Sequence, residues 1–173
     1  MKKLGHVTKE KDGFRVMFER TLPFPIEAVW LALTDPKKMA QWFTDVEMDF
    51  VVGGKLLIRF RDEAKTQSFG KIVRIEPPHV FEYLWEEELA SWQLFKEGDR
   101  ACKLVLVYSK LPASYAMSVP AGWHVLLDQL EEVLGGASGP YPFGGPENER
   151  TEKIKEVYAE LLSKQFPELK STV

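Results

Sequence analysis

The stretch Phe24-Pro25-Ile26-Glu27-Ala28-Val29-Trp30-Leu31-Ala32-Leu33-Thr34-Asp35-Pro36, closed by Gln41-Trp42-Phe43, reads as two short helices meeting at a sharp corner. Pro25 suits a first helical position, where no backbone N–H is needed. Asp35 followed by Pro36 repeats the device, an N-cap followed by a residue pre-set for the first turn. Ile26, Val29, Trp30 and Leu33 recur at i, i+3, i+4 and i+7, so the first helix has one apolar face. This pair stands between one strand-like run and a long series of others, and that order restricts the architecture.

Upstream, Phe14, Val16 and Phe18 alternate with Arg15 and Glu19, the pattern of a half-buried strand, after a polar start that turns at Lys11-Asp12-Gly13. Downstream, residues 46–52 form a strand candidate ended by Gly53-Gly54. In residues 55–61, Leu56, Ile58 and Phe60 then alternate with charged residues. Two further strands, 67–75 and 80–87, flank Glu76-Pro77-Pro78-His79, a turn because paired prolines cannot sit in a central strand. Residues 90–96 and 100–110 complete the series, the latter with Cys102, Leu104, Leu106 and Tyr108 on one side. Consecutive strands joined by short turns predict an antiparallel meander.

Residues 120–134 form the longest helix of this core. Trp123, Leu126, Leu127, Leu130, Val133 and Leu134 make its apolar stripe, and Gly135-Gly136 stops it. A Gly/Pro-rich linker follows at 137–146, and Ile154, Val157, Tyr158, Leu161 and Leu162 form one more amphipathic stripe. The expected organisation is a core domain at 1–136, the linker, and a helical appendage at 147–173. The fold class is α+β: a curved antiparallel sheet of about six or seven strands wrapped around a long helix. That helix is the only nearby element long enough to cover the sheet's apolar face.

The 173 residues are 45% hydrophobic and 28% charged, an ordinary globular composition. The net charge of −3 gives no positive field for nucleic acid or anionic membranes. A single cysteine, Cys102, leaves no intramolecular disulfide and no thiolate zinc cluster. The basic N-terminus lacks the apolar run of a signal peptide, and no stretch reaches the roughly 20 apolar residues of a membrane span. A cytoplasmic protein is the expectation.

The ordered set Phe18-Glu19-Arg20, Pro25 to Trp30, Leu33-Thr34-Asp35-Pro36, Trp42-Phe43, Gly53-Gly54, Gly70-Lys71-Ile72-Val73, Glu76-Pro77-Pro78, Tyr83-Leu84-Trp85 and Gly122-Trp123 resembles the START-like, helix-grip superfamily, also called SRPBCC or Bet v 1-like. Within it, the set is similar to the branch named after the activator of the Hsp90 ATPase. The resemblance spans roughly residues 14 to 135 and implies the helix-grip fold. It also implies a non-enzymatic protein that holds a hydrophobic small molecule, lipid or aromatic, in a cavity between sheet and helix. Two alternatives stay open: a co-chaperone-like interaction module with a protein partner, and a cyclase- or hydrolase-like enzyme.

The candidate cavity residues are the aromatics on inward-facing elements, Trp42, Phe60, Phe69, Tyr83, Trp85, Tyr108 and Trp123, together with Leu127. Filling a core accounts for each one singly, at about 1.5–3 kcal/mol of burial. As a set they suit a pocket for a flat or acyl ligand. Parity favours Phe60 and Tyr108 over Phe69, whose strand is apolar on both sides. Arg61, Arg74 and Glu86 lie near strand ends, as solvated charges or as groups at a cavity mouth. His124 and Asp128 share a helix face and would suit acid–base work if they faced the cavity, but Trp123 and Leu127 claim the interior and place the pair at its flank, on the surface or rim. Histidines 6, 79 and 124 form no ligand-spaced pair, no strand–Gly-loop–helix phosphate fingerprint occurs, and no serine sits in a Gly-x-Ser-x-Gly elbow. The sequence therefore names no cofactor, no metal and no catalytic residue. The terminal amphipathic helix either docks on its own domain or mediates a homodimer, so monomer and homodimer both remain open.

Overall fold

The computed structural model describes residues 1–141 and 149–172, so positions 142–148 and 173 of the expected linker and appendage lie outside the described residues. Eight strands form one antiparallel sheet: β1 (His6–Glu10), β2 (Gly13–Leu22), β3 (Asp45–Met48), β4 (Lys55–Arg59), β5 (Gln67–Glu76), β6 (Val80–Trp85), β7 (Glu88–Lys96) and β8 (Cys102–Leu111). Their spatial order is β1-β2-β8-β7-β6-β5-β4-β3, so strands β3 to β8 run as a meander and β2 closes against β8. The helices are α1 (Ile26–Thr34), α2 (Pro36–Trp42), α3 (Val119–Leu134) and α4 (Glu149–Gln165). This is the helix-grip arrangement. Among the described residues, no helix is long and apolar enough to cross a membrane.

The helical corner forms as its residues dictate. Ile26, Val29, Trp30 and Leu33 are all buried on one face of α1. Asp35 caps α2 by accepting the Lys37 N–H at 3.0 Å, with Pro36 in the first turn. The Trp42 indole N–H donates to the Ala32 carbonyl at 2.8 Å, which locks α2 against α1.

The strand count exceeds the expectation by β1, whose polar sequence buries only Val7. It forms because Gly13 turns the chain back onto β2, with His6 opposite Met17 and Glu10 opposite Gly13. Strand β3 is shorter than expected, ending at Met48, and leaves Val51 and Val52 exposed in the following turn.

Two bulges add to the bending of the sheet. On β8, Ser109 and Lys110 stand opposite Arg15 alone, because Phe14 pairs with Leu111 and Val16 with Tyr108. On β5, Val73 is the extra residue between the Ile72–Tyr83 and Arg74–Glu82 pairs. A bulge strengthens local twist, which lets a sheet wrap a helix. Gly70 sits where β5 meets β6, and a Cβ there would lie 2.1 Å from the Leu84 carbonyl oxygen, so only glycine fits.

Helix α3 is gripped from two sides. On one side Trp123 packs against Trp92 and Tyr108 of the sheet, and on the other α4 docks within the same chain with Ile154, Tyr158 and Leu162 buried. Gln165 donates to the Val7 carbonyl at 2.9 Å, and Phe166 meets Phe14 edge-on at 5.3 Å, so the α4 end also covers the β1–β2 hairpin.

Candidate functional site

A cavity of about 910 Å³ lies between the sheet and the first half of α3. Val119, Gly122, Trp123 and Leu126 project into it at i, i+3, i+4 and i+7. Trp85 at the end of β6, Tyr108 on β8 and Phe60 just after β4 supply the opposite wall. Phe60 stacks on Trp85 at 6.2 Å, and Trp85 meets Trp123 edge-on at 6.0 Å. Tyr108 tilts against Trp123 at 5.3 Å. Such edge and offset contacts hold the rings in place.

The polar atoms of this wall form two short chains. The Trp85 indole N–H donates to Ser68 Oγ at 2.7 Å, and Ser68 donates to Glu86 at 2.9 Å. The Phe69 backbone N–H donates to the same Glu86 oxygen and, with Ser68, holds that carboxyl below the usual carboxylate range. The second chain is deeper. The Tyr108 hydroxyl donates to Glu88 Oε2 at 2.7 Å. Burial pushes the Glu88 carboxyl up, the Tyr108 hydrogen bond opposes that rise, and the neighbouring Glu86 charge adds to it. Tyr108 itself is pushed up, by burial first and by Glu88 second, and stays a hydrogen-bond donor. Asp12, Glu86, Glu87 and Lys110 also line the cavity, and all four are exposed.

Of the residues expected at a cavity, Phe60, Trp85, Tyr108 and Trp123 are brought together there. Trp42, Tyr83 and Leu127 lie in the packed core behind it, each 2% exposed or less. Trp42 stacks on Phe43 at 5.5 Å and meets Trp92 edge-on at 6.0 Å, while the Trp92 indole N–H reaches the Tyr83 hydroxyl at 3.4 Å. Phe69 stands on the outer face of β5, 59% exposed.

Glu88, Ser68, Gly122 and Leu126 also line the cavity, though the sequence did not mark them as cavity residues. Glu88 carried a usable signal, since it shares its strand face with the buried Ala90, Trp92 and Leu94.

The rim position expected for His124 and Asp128 is corrected. His124 is fully buried beneath α4, its Nδ1 2.9 Å from the Tyr158 hydroxyl. Asp128 accepts from the buried Arg20 at 2.7 Å. Arg61 is not a free strand-end charge, for it donates to the Ala40 and Tyr141 carbonyls at 2.8 and 2.9 Å and pairs with Asp45. Arg74 pairs with Glu76 at the surface.

Solved structures of similar shape come from several bacteria. A conserved protein of unknown function from Enterococcus faecalis superposes with a TM-score of 0.76 at 20% identity, covering 92% of this chain and 91% of that one. The crystal structure of CalU16 from Micromonospora echinospora gives 0.69 at 22% identity, covering 92% and 94%. DynU16, a putative protein in the dynemicin biosynthetic locus, gives 0.62 at 24% identity, covering 72% of this chain and 48% of its own. These identities establish likeness of fold. Among curated proteins, none matches the sequence. The sequence profile of the family described as Activator of Hsp90 ATPase homolog 1-like protein matches residues 23–135, well over half of the chain, and the chain therefore belongs to that family.

Proposed function

We propose that this protein binds an apolar or aromatic small molecule, without transforming it, in the cavity between the sheet and α3. The observation that supports this most is the aromatic wall of Phe60, Trp85, Tyr108 and Trp123 around about 910 Å³. That volume is in the range of pockets for drug-sized ligands, which are mostly apolar with a few placed polar groups. A well-packed core leaves few voids larger than a water molecule, so an opening of this size is set apart from ordinary packing. The likeness to DynU16, from a biosynthetic locus, is in keeping with a small-molecule ligand.

Native mass spectrometry of the purified protein, followed by thermal shift with aromatic and fatty-acyl ligands, tests the reading. A co-purifying molecule, or a melting temperature that climbs with ligand concentration, is the expected outcome, because a native-state ligand stabilises by about 2.7 kcal/mol at a hundredfold excess over Kd. An empty protein that no apolar ligand shifts would sink it.

A second reading, acid–base catalysis in the same cavity, is favoured by one observation, the half-buried Glu88 carboxyl that lines the cavity and accepts from the Tyr108 hydroxyl. It requires that the bound molecule leave with an altered mass. Recovery of unchanged ligand after prolonged incubation would exclude it.

A further inference from the structure

The cavity carries an unbalanced charge that its aromatic wall alone does not require. Asp12, Glu86, Glu87 and Glu88 line it against the single base Lys110. Elsewhere on the sheet, acids have basic neighbours: Glu19 pairs with Lys103, Glu47 with Arg59 and Asp45 with Arg61. Among the described residues, Glu86, Glu87 and Glu88 have no such partner. Glu88 is the one set inward, half-buried and beside the rings of Trp85 and Tyr108. Its Oε2 is satisfied by the Tyr108 hydroxyl, and no described residue donates to Oε1. A carboxyl removed from water without a counter-charge is costly, and a cation placed against it relieves that cost. Ring faces within about 6 Å of a cation add attraction of their own. A carboxylate or phosphate ligand would instead meet four acids and one base.

We propose that the cavity selects an amphipathic cation: an aromatic or alicyclic body among Phe60, Trp85, Tyr108 and Trp123, with a protonated amine on Glu88 Oε1. This rests on the cavity being a binding site, and it names the chemical class of its ligand.

The test uses three probes of one shape, 2-(2-naphthyl)ethylamine, 2-(2-naphthyl)ethanol and 2-naphthylacetate, titrated into the full-length protein at pH 7 and followed by calorimetry. The ammonium is expected to bind about tenfold more tightly than the alcohol, with the carboxylate weakest, the size of one charge-assisted contact. Glu88→Gln, which keeps an acceptor for Tyr108 and removes the charge, is expected to bring the ammonium down to the alcohol's affinity. The wild-type comparison stands even where that variant folds poorly. Alcohol or carboxylate binding as tightly as the ammonium would overturn this inference and leave the binding reading intact. A preference that survives Glu88→Gln would overturn the assignment to Glu88. No binding by any of the three would overturn both readings together.

Discussion

Arg20 is 5% exposed, and its partners Asp128 and Glu131 lie at 2.7 and 3.4 Å, so its charge is held almost wholly by two carboxylates on α3. Removing one side of such a pair leaves the other buried and unpaired, a loss of about 3–5 kcal/mol. Arg20→Ala should therefore lower the urea midpoint sharply, whereas Arg15→Ala, in an exposed pair with Glu10, should change it little. Tyr108 makes a different demand, because its hydroxyl steadies a carboxyl that burial pushes toward the neutral form. Tyr108→Phe removes the interaction that opposes this rise, so the Glu88 titration midpoint should move further upward. Carbon-detected NMR of the Glu88 carboxyl reads that shift directly, and an unchanged midpoint would contradict the hydrogen bond's role.

Helix α3 explains which part of the site could be read from the sequence. Its stripe of Trp123, Leu126, Leu127 and Leu130 is evident from periodicity alone. Which side faces the cavity and which faces α4 depends on where a distant helix docks, and no local pattern encodes that. His124 follows from the same gap: with α4 placed nowhere it belongs at a rim, and with α4 docked it is fully buried. Strand parity was more informative. It placed Phe60 and Tyr108 toward the cavity and held the inward position of Glu88, which a strand started two residues too late concealed.

The docking of α4 has a pH signature. Burial lowers the His124 pKa, Asp128 and Glu131 pull it up, and Arg20 and the N-terminal amine push it down, while the Tyr158 hydroxyl packs on the other side. The folded pKa thus lies below the ordinary 6.5, and as pH falls past that value the unfolded chain takes up the proton first. Stability from this group is fully present above 6.5 and declines as pH drops toward the folded pKa. Denaturant titrations should show that decline in the wild type and a shallower one in His124→Asn. Tyr158 accepts the Gly5 N–H at 2.7 Å and meets His124 at 2.9 Å. Tyr158→Phe leaves both buried groups short of a partner, so a loss of about 1–3 kcal/mol is expected in the same titrations.

At the scale of the whole molecule, the sheet and the first half of α3 leave an opening between them. Phe43, which follows α2, stacks on Trp123 at 6.0 Å, and Lys110 of the β8 bulge lines the opening. Gly122 lies in this opening, and a Cβ built on it meets no atom within 4 Å. A glycine inside a helix is unfavourable by roughly 0.5–1 kcal/mol relative to alanine, and here no steric contact requires it. Gly122→Leu should therefore raise stability, through helix propensity and through contacts with the aromatic wall. A gain of about 1 kcal/mol would lift the melting temperature by roughly 2–4 °C in a chain of this size. The added side chain would also fill part of the proposed ligand space, so on that reading affinity should fall as stability rises. Calorimetric melting and ligand titration on the same preparation read both quantities. A variant that gains stability and still binds as tightly as the wild type would place the ligand somewhere other than against α3.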